Sequence, residues 1–229
     1  MNRIQDVLRR TKTITFDCYG TLIDWNEGIR SALADTWPDD DADALLAAYH
    51  RAEPTLEAEG GLSYREVLTR AVDEIAGARD LTVPEGRRSA LADSIPSWLP
   101  FPEVPAALRE LRELGWRLGI LSNTDADYLD ASLASIGVPV DERVVASEIG
   151  SYKPAFGHWE TFFNETGADR SHHVHVGASL FHDIQPAAAL GLTSVWINRL
   201  GDSSDVPRAA ELADLSTLPT VLNQLVPTG

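Results

Sequence analysis

The hydrophobic pattern of the chain switches between short β-branched runs and longer stretches whose apolar positions recur every three or four residues. Lys12–Phe16 (KTITF) is the first short run. It ends in Asp17-Cys18-Tyr19-Gly20-Thr21, where Gly20 permits a sharp turn. Helical spacing follows over Asn26–Asp35. It returns over Asp41–Glu59, with Leu45, Leu46, Tyr49, Ala52 and Leu56 in helical register and Gly60-Gly61 as the stop. Ser63, with Glu66 three residues on, reads as a capping box and predicts a helix to about Gly77. Another helix is expected over Glu85–Asp93, before Pro96.

Beyond Pro100 the two periods interleave. Helices are expected over Glu103–Leu114, Asp127–Ile136, Ala155–Thr166 and Asp183–Leu190, each stopped by a glycine. Strands are expected over Trp116–Leu121, Arg143–Ala146, His173–Val176 and Thr193–Asn198, and the tail should hold one or two short helices. Strands alternating with helices call for a parallel sheet covered on both faces. From about Asp24 to Leu99 there is no strand pattern. The expected architecture is an α/β fold: a Rossmann-like parallel sheet core over residues 1–24 and 98–229, with an all-helical cap, 25–97, inserted after the first strand.

Composition narrows the function. Of 229 residues 44% are hydrophobic, which excludes a disordered chain. Cys18 is the single cysteine, so neither a disulfide scaffold nor a cysteine-based zinc module is available. The start, MNRIQDVLRRTKTITF, lacks the apolar core of a secretion signal, and no run has the length of a membrane span. The cytoplasm is therefore the expected compartment. A formal charge of −16 makes nucleic acid and anionic membranes poor partners. Only Lys12 and Lys153 are lysines among 19 basic residues, so each lysine invites an individual explanation.

Ligands of open parallel sheets bind at the carboxyl ends of the strands. That rule points to Asp17, Tyr19, Ser122, Asn123, Ser179 and Asp183, with Lys153 in the loop after a later strand. Asp17 can attack a substrate or simply cap its turn. Ser122 and Asn123 offer short hydrogen-bond donors. Lys153 can hold a neighbouring carboxylate ionised. Asp183 can bond Lys153, orient a water, or sit favourably at a helix N-terminus. His172, His173 and His175 cluster in a strand and read as core or strand-end histidines rather than metal ligands, whereas His182, beside Asp183, suits a pocket. No dinucleotide fingerprint, P-loop or G-x-S-x-G elbow is present, so no cofactor is expected.

Taken together, Phe16-Asp17-Cys18-Tyr19-Gly20-Thr21-Leu22, Leu121-Ser122-Asn123, Tyr152-Lys153-Pro154 and Ser179…Asp183 resemble, in order and spacing, the haloacid dehalogenase superfamily, and within it the (S)-2-haloacid dehalogenases. The resemblance implies that Asp17 displaces the halide at C2 of a small 2-halo carboxylate. Water then hydrolyses the resulting aspartyl ester to the inverted 2-hydroxy acid. It implies that Lys153 and Asp183 hold Asp17, with Thr21, Ser122 and Ser179 in support. The backbone at Cys18 and Tyr19, with Ser122 and Asn123, would hold the substrate carboxylate. Asn123 and a cap arginine, taken as Arg51, would receive the halide. Trp159 stands where a tyrosine is expected, and His182 is a candidate for holding the water. A homodimer is implied as well.

Two positions separate this chemistry from that of phosphatases of the superfamily, which carry an aspartate two residues after the nucleophile and another in the fourth motif. Here those positions are Tyr19 and Ala178. A phenol with a pKa of about 10 does not replace a carboxylic acid, and a magnesium site loses a ligand. The alternatives are another C2 leaving group, such as a strained azetidine carboxylate, a magnesium-dependent phosphatase, and a non-catalytic binding protein of the same fold.

Overall fold

The structure, a computed structural model, describes residues 11–59 and 61–226. The reading of the chain start over residues 1–10, and of Gly60 as a helix stop, lies outside them. Strands β1 (Thr13–Phe16), β2 (Arg117–Ser122), β3 (Glu142–Val145), β4 (His173–Gly177), β5 (Thr193–Ile197) and β6 (Ala210–Leu212) form one parallel sheet in the order β3-β2-β1-β4-β5-β6. The helices are α1 (Trp25–Thr36), α2 (Ala42–Ala58), α3 (Tyr64–Arg79), α4 (Ala90–Ser94), α5 (Val104–Glu113), α6 (Ala126–Ile136), α7 (Ala146–Ile149), α8 (Gly157–Thr166), α9 (Gln185–Ala189) and α10 (Leu218–Leu225). The first four fall between β1 and β2 and form the inserted cap. The parallel core with a helical insert after the first strand is therefore the observed architecture.

Alternation gives β1 two unlike faces. Ile14 and Phe16 enter the apolar core. Thr13 and Thr15 face the other way and lie in register with His173 and His175 of β4. Thr15 Oγ1 is 3.1 Å from His173 Nε2 and 2.9 Å from His175 Nδ1, and Thr13 Oγ1 is 3.0 Å from His173 Nδ1. Trp159, Phe162 and Phe163 of α8 pack their rings against these histidines. Next in this alternation after Thr13 and Thr15 is Asp17.

The cap helices start on side-chain caps. Asp24 accepts from Glu27 N, Asp41 from Asp43 N and Ala44 N, and Ser63 and Glu66 form the expected reciprocal box. Leu45, Tyr49, Leu68, Val72 and Ile75 are fully buried within the cap. Each buried apolar side chain of this size contributes about 1.5–3 kcal/mol. The helix expected from Glu85 begins only at Ala90, because Pro84 and Gly86 form a turn closed by Arg87 N donating to Pro84 O. The helix expected from Asp183 is also delayed. A wide π-type turn over Leu180–Ile184 precedes α9. The tail holds the edge strand β6 as well as a helix, and three extended residues carry too little pattern to betray a strand.

Two sets of bonds join cap to core. Where the chain crosses, Asp24 N donates to Leu99 O and Phe101 N to Leu22 O. Farther away, the Asp125 carboxylate before α6 accepts from Tyr64 N and Arg65 N at the start of α3, and Tyr152 Oη donates to Leu62 O. No helix among the described residues is long and apolar enough to cross a membrane.

Gly28 in α1 offers a test of the seam. A Cβ there would lie 2.5 Å from the buried Trp98 indole. Alanine gains about 1 kcal/mol of helix propensity over glycine, but overpacking against a rigid ring costs about 1–3 kcal/mol. Gly28→Ala is expected to lower the urea midpoint, whereas Gly77→Ala, which meets open space, should leave it unchanged or raise it.

Candidate active site

Strands β1, β2 and β4 lie side by side, so the residues that follow their carboxyl ends face one another. Asp17 follows β1 and is fixed there by its own N–H, which donates to Val176 O at 2.9 Å. Lys153 enters from the loop between α7 and α8. Its Nζ donates to Asp17 Oδ1 at 2.8 Å and to Asp183 Oδ1 at 2.7 Å. Thr21 Oγ1 donates to Asp17 Oδ2 at 2.7 Å and accepts from Ala178 N. Asp183 Oδ2 accepts from Ser179 N, and Asp183 Oδ1 lies 3.4 Å from His175 Nε2. The threonine–histidine ladder of β1 and β4 thus ends on this carboxylate.

The backbone makes room for the cluster. A Cβ on Gly177 would lie 2.5 Å from Asp183 Cβ, so only glycine lets Asp183 pack against the end of β4. The Asn123 side chain clamps the Lys153 backbone: Nδ2 donates to its carbonyl at 2.9 Å and Oδ1 accepts from its N–H at 2.6 Å.

Burial alone would lower the pKa of Lys153, but two carboxylates hold its ammonium well above the ordinary lysine value. Burial would also raise Asp183, yet Lys153 and His175 hold its carboxyl far below the usual range. Burial raises Asp17, with Lys153 pulling the other way and Asp183 adding repulsion. Asp183 is therefore a poor base and a good anchor. Asp17 is the carboxylate with access to the cavity.

That cavity, about 220 Å³, lies between core and cap. Asp17, Tyr19, Ser122, Asn123, Lys153, Ser179, His182 and Asp183 all border it, so the structure brings these candidates together. Thr21 is buried beneath, in contact with Asp17. Cys18 is a packed core side chain whose thiol is pushed well up by burial. Tyr19 Oη lies 3.0 Å from Ser132 Oγ, its ring stacks on Tyr64, and burial pushes its phenol far above the ordinary value. His182 lies 3.2 Å from Ser179 Oγ and 3.5 Å from Glu57 Oε2. Burial would lower its pKa, but Glu57 raises it.

Arg51 and Trp159 do not border the cavity. Arg51 is exposed, because Tyr49, Glu53 and Glu57 are spaced four apart and share the inward stripe of α2 while position 51 turns away. Trp159 is fully buried behind the site, edge-on to His175 at 5.1 Å. Glu53 and Glu57 take the cap position where an arginine was expected. Glu53 Oε1 accepts from Tyr49 Oη at 2.6 Å and from Tyr64 Oη at 3.3 Å, and burial, reinforced by Glu57, raises its pKa to about 7. The one signal for these residues in the sequence is the four-residue spacing behind a buried tyrosine. His158 is a further unsignalled neighbour. It lies 3.0 Å from Ser122 O and is lowered to about 4 by burial.

The model of the haloacid dehalogenase-like hydrolases matches residues 11–191. The chain belongs to this family. Among haloacid dehalogenase-like hydrolases it is similar to the (S)-2-haloacid dehalogenase of Pseudomonas sp. (strain YL), 29% identical over 206 residues that cover 83% of this chain and 84% of that one. It is also similar to haloacetate dehalogenase H-2 of Moraxella sp. (strain B), 28% identical over 204 residues that cover 86% and 90%. The L-2-haloacid dehalogenase of Xanthobacter autotrophicus superposes with a TM-score of 0.80 over 93% of this chain and 98% of that one. At 18% identity this likeness is one of fold. The protein is a haloacid dehalogenase-like hydrolase.

Removing the buried ammonium leaves two carboxylates facing each other. Lys153→Met is expected to cost about 3–5 kcal/mol at pH 8. The carboxylates of this variant, deprived of their cation, titrate above their unfolded values, so its deficit grows as pH rises. Thermal denaturation at pH 5 and pH 8 should show the smaller deficit at pH 5.

Proposed function

We propose that the chain is a metal-independent hydrolase of the (S)-2-haloacid dehalogenase kind, acting on a small 2-halo carboxylate through an aspartyl ester. The observation that carries this reading is the anchoring of Asp17, Lys153 on Oδ1 and Thr21 on Oδ2, with no carboxylic acid two positions on. The residue two positions on is Tyr19, whose hydroxyl sits beside Ser132 and whose phenol is held protonated by burial. A leaving group that departs as a stable anion needs no proton from that position, and halide is such a group.

In this mechanism Asp17 attacks C2 in line through Oδ2, and the carbon–halogen pair leaves with the halide. Oδ1 stays on Lys153 and becomes the carbonyl oxygen of the ester. When water attacks that carbonyl, the ammonium stabilises the developing oxyanion. The C–O bond to Oδ2 never breaks on the substrate side, so the hydroxy acid keeps the inverted configuration and Asp17 acquires the water oxygen. The substrate carboxylate is held by the backbone N–H groups of Cys18 and Tyr19 and by Ser122 Oγ, which is buried and has no partner among the described residues. Asn123 contributes by fixing Lys153.

The donor set supports metal independence. Ala178 stands where a divalent cation would want a carboxylate, and no group of three metal-binding side chains lies together among the described residues.

Halide release from (S)-2-chloropropionate in EDTA, giving (R)-lactate, is the expected result, with the (R) substrate inert. Asp17→Asn should lose turnover by several orders of magnitude while keeping its melting temperature. In a single turnover in H₂¹⁸O the label should appear in Asp17 and not in the lactate. Labelled lactate under those conditions would overturn the ester route.

A further inference from the structure

An anion expelled into the cavity needs a donor to receive it, and the lining offers few. No arginine borders it, Lys153 is shared between Asp17 and Asp183, and the His182 imidazole faces Glu57. From the cap, the carboxyl groups of Glu53 and Glu57 border the same space as the nucleophile. A pair of ionised carboxylates there would repel both a substrate carboxylate and a departing halide.

Glu53 has a different setting from Glu57. Its Oε1 is held by two phenols, Tyr49 Oη from its own helix and Tyr64 Oη from α3. Its Oε2 has no hydrogen-bond partner among the described residues. Both phenols are pushed well above the ordinary tyrosine value by burial, so they donate and stay neutral. Glu57, one turn along α2, adds a repelling charge to Glu53, and His182, from the turn after β4, faces Glu57. The phenols and His182 favour the carboxylate, but burial and the neighbouring Glu57 outweigh them and raise its pKa to about 7, so the form with a proton on the free oxygen is populated at neutral pH. A carboxylic acid kept neutral in this way is a hydrogen-bond donor.

We propose that Glu53, as the carboxylic acid, is the cap donor that receives the departing halide, in place of a cationic side chain. The inference rests on the dehalogenase reading above. Asp17 Oδ2 attacks C2, the bonding pair leaves with the halide, and Glu53 Oε2–H hydrogen-bonds to that halide without giving up its proton. Water then hydrolyses the ester, and the sum is halo acid plus water to hydroxy acid, halide and one proton. The donor is neutral, so the site carries a halide without presenting a second anion to it. The leaving atom then departs toward α2, and activity falls as Glu53 loses its proton.

Bromide itself is the probe, titrated calorimetrically into the whole protein at pH 6 and pH 8 in two buffers of unlike ionisation heat. Binding to the acid form alone predicts an affinity about tenfold lower at pH 8 than at pH 6, with uptake approaching one proton at pH 8, since Glu53 titrates at about 7. Glu53→Gln, a permanent donor of the same shape, should bind bromide equally at both values with no proton uptake. Glu53→Ala should bind it weakly at both. His182→Gln removes a cation that lowers Glu53, so it should keep the proton-linked binding but move it to higher pH. The proposal fails if wild-type bromide binding is absent or independent of pH, or if Glu53→Gln retains the proton uptake. Chloride release from (S)-2-chloropropionate separates the two ideas. Release without proton-linked bromide binding sinks the role of Glu53 alone, and proton-linked binding without release sinks the dehalogenase reading alone. Where release occurs, kcat/KM should fall above about pH 7 in the wild type and not in Glu53→Gln.

Discussion

One ammonium group organises this molecule. Lys153 is buried, and its Nζ sits within hydrogen-bond distance of two carboxylates that would otherwise repel each other at the mouth of the sheet. Desolvating each of these charges costs several kcal/mol, and one cation does not neutralise two anions. The surroundings make up the difference with directed hydrogen bonds. Asn123 holds the backbone of the lysine, Ser179 N and His175 attend Asp183, and Thr21 attends Asp17. Such an arrangement contributes little net stability. It places one carboxylate at the cavity, where the ammonium offsets part of the burial that raises Asp17.

Core and cap contribute unlike chemistry. The core brings charged groups that are mutually satisfied and fixed by strand ends. The cap brings a stripe of polar groups on α2, at Tyr49, Glu53 and Glu57, whose protonation is set by burial and by one another. A substrate between them meets a fixed, lysine-bound carboxylate on one side and a titratable wall on the other. The negative charge of the whole chain is thus not uniform in its effect. Beside the cavity, burial and Glu57 raise one of these acids, Glu53, to about 7.

The sheet was legible in the sequence because parallel strands buried on both faces leave short apolar runs and glycine stops that few other structures produce. The core side of the site was legible for the same reason, since Asp17, Ser122, Ser179 and Asp183 all follow such runs. The cap side was not. Arg51 and Glu53 are two residues apart on one helix, and composition says nothing about which of them turns inward. Only packing of Tyr49 and Leu56 into the cap decides it. His175 is a related case. Alternation places it with His173, but its contact with Asp183 depends on the wide turn over Leu180–Ile184, which no local pattern announces. β6 escaped notice because an edge strand of three residues is held by its neighbour and not by its own composition.

The cap is tied down at two places of different kinds. At one the chain itself passes, and at the other the Asp125 carboxylate holds the first amides of α3. The first attachment is permanent, and the second can let go. Charge-assisted bonds of this sort are worth about 1.5–3 kcal/mol each. To part the two halves, the Asp125, Arg65–Asp127 and Tyr152–Leu62 contacts at the far rim and the His182–Glu57 contact at the cavity all have to break, while the crossing segments stay joined.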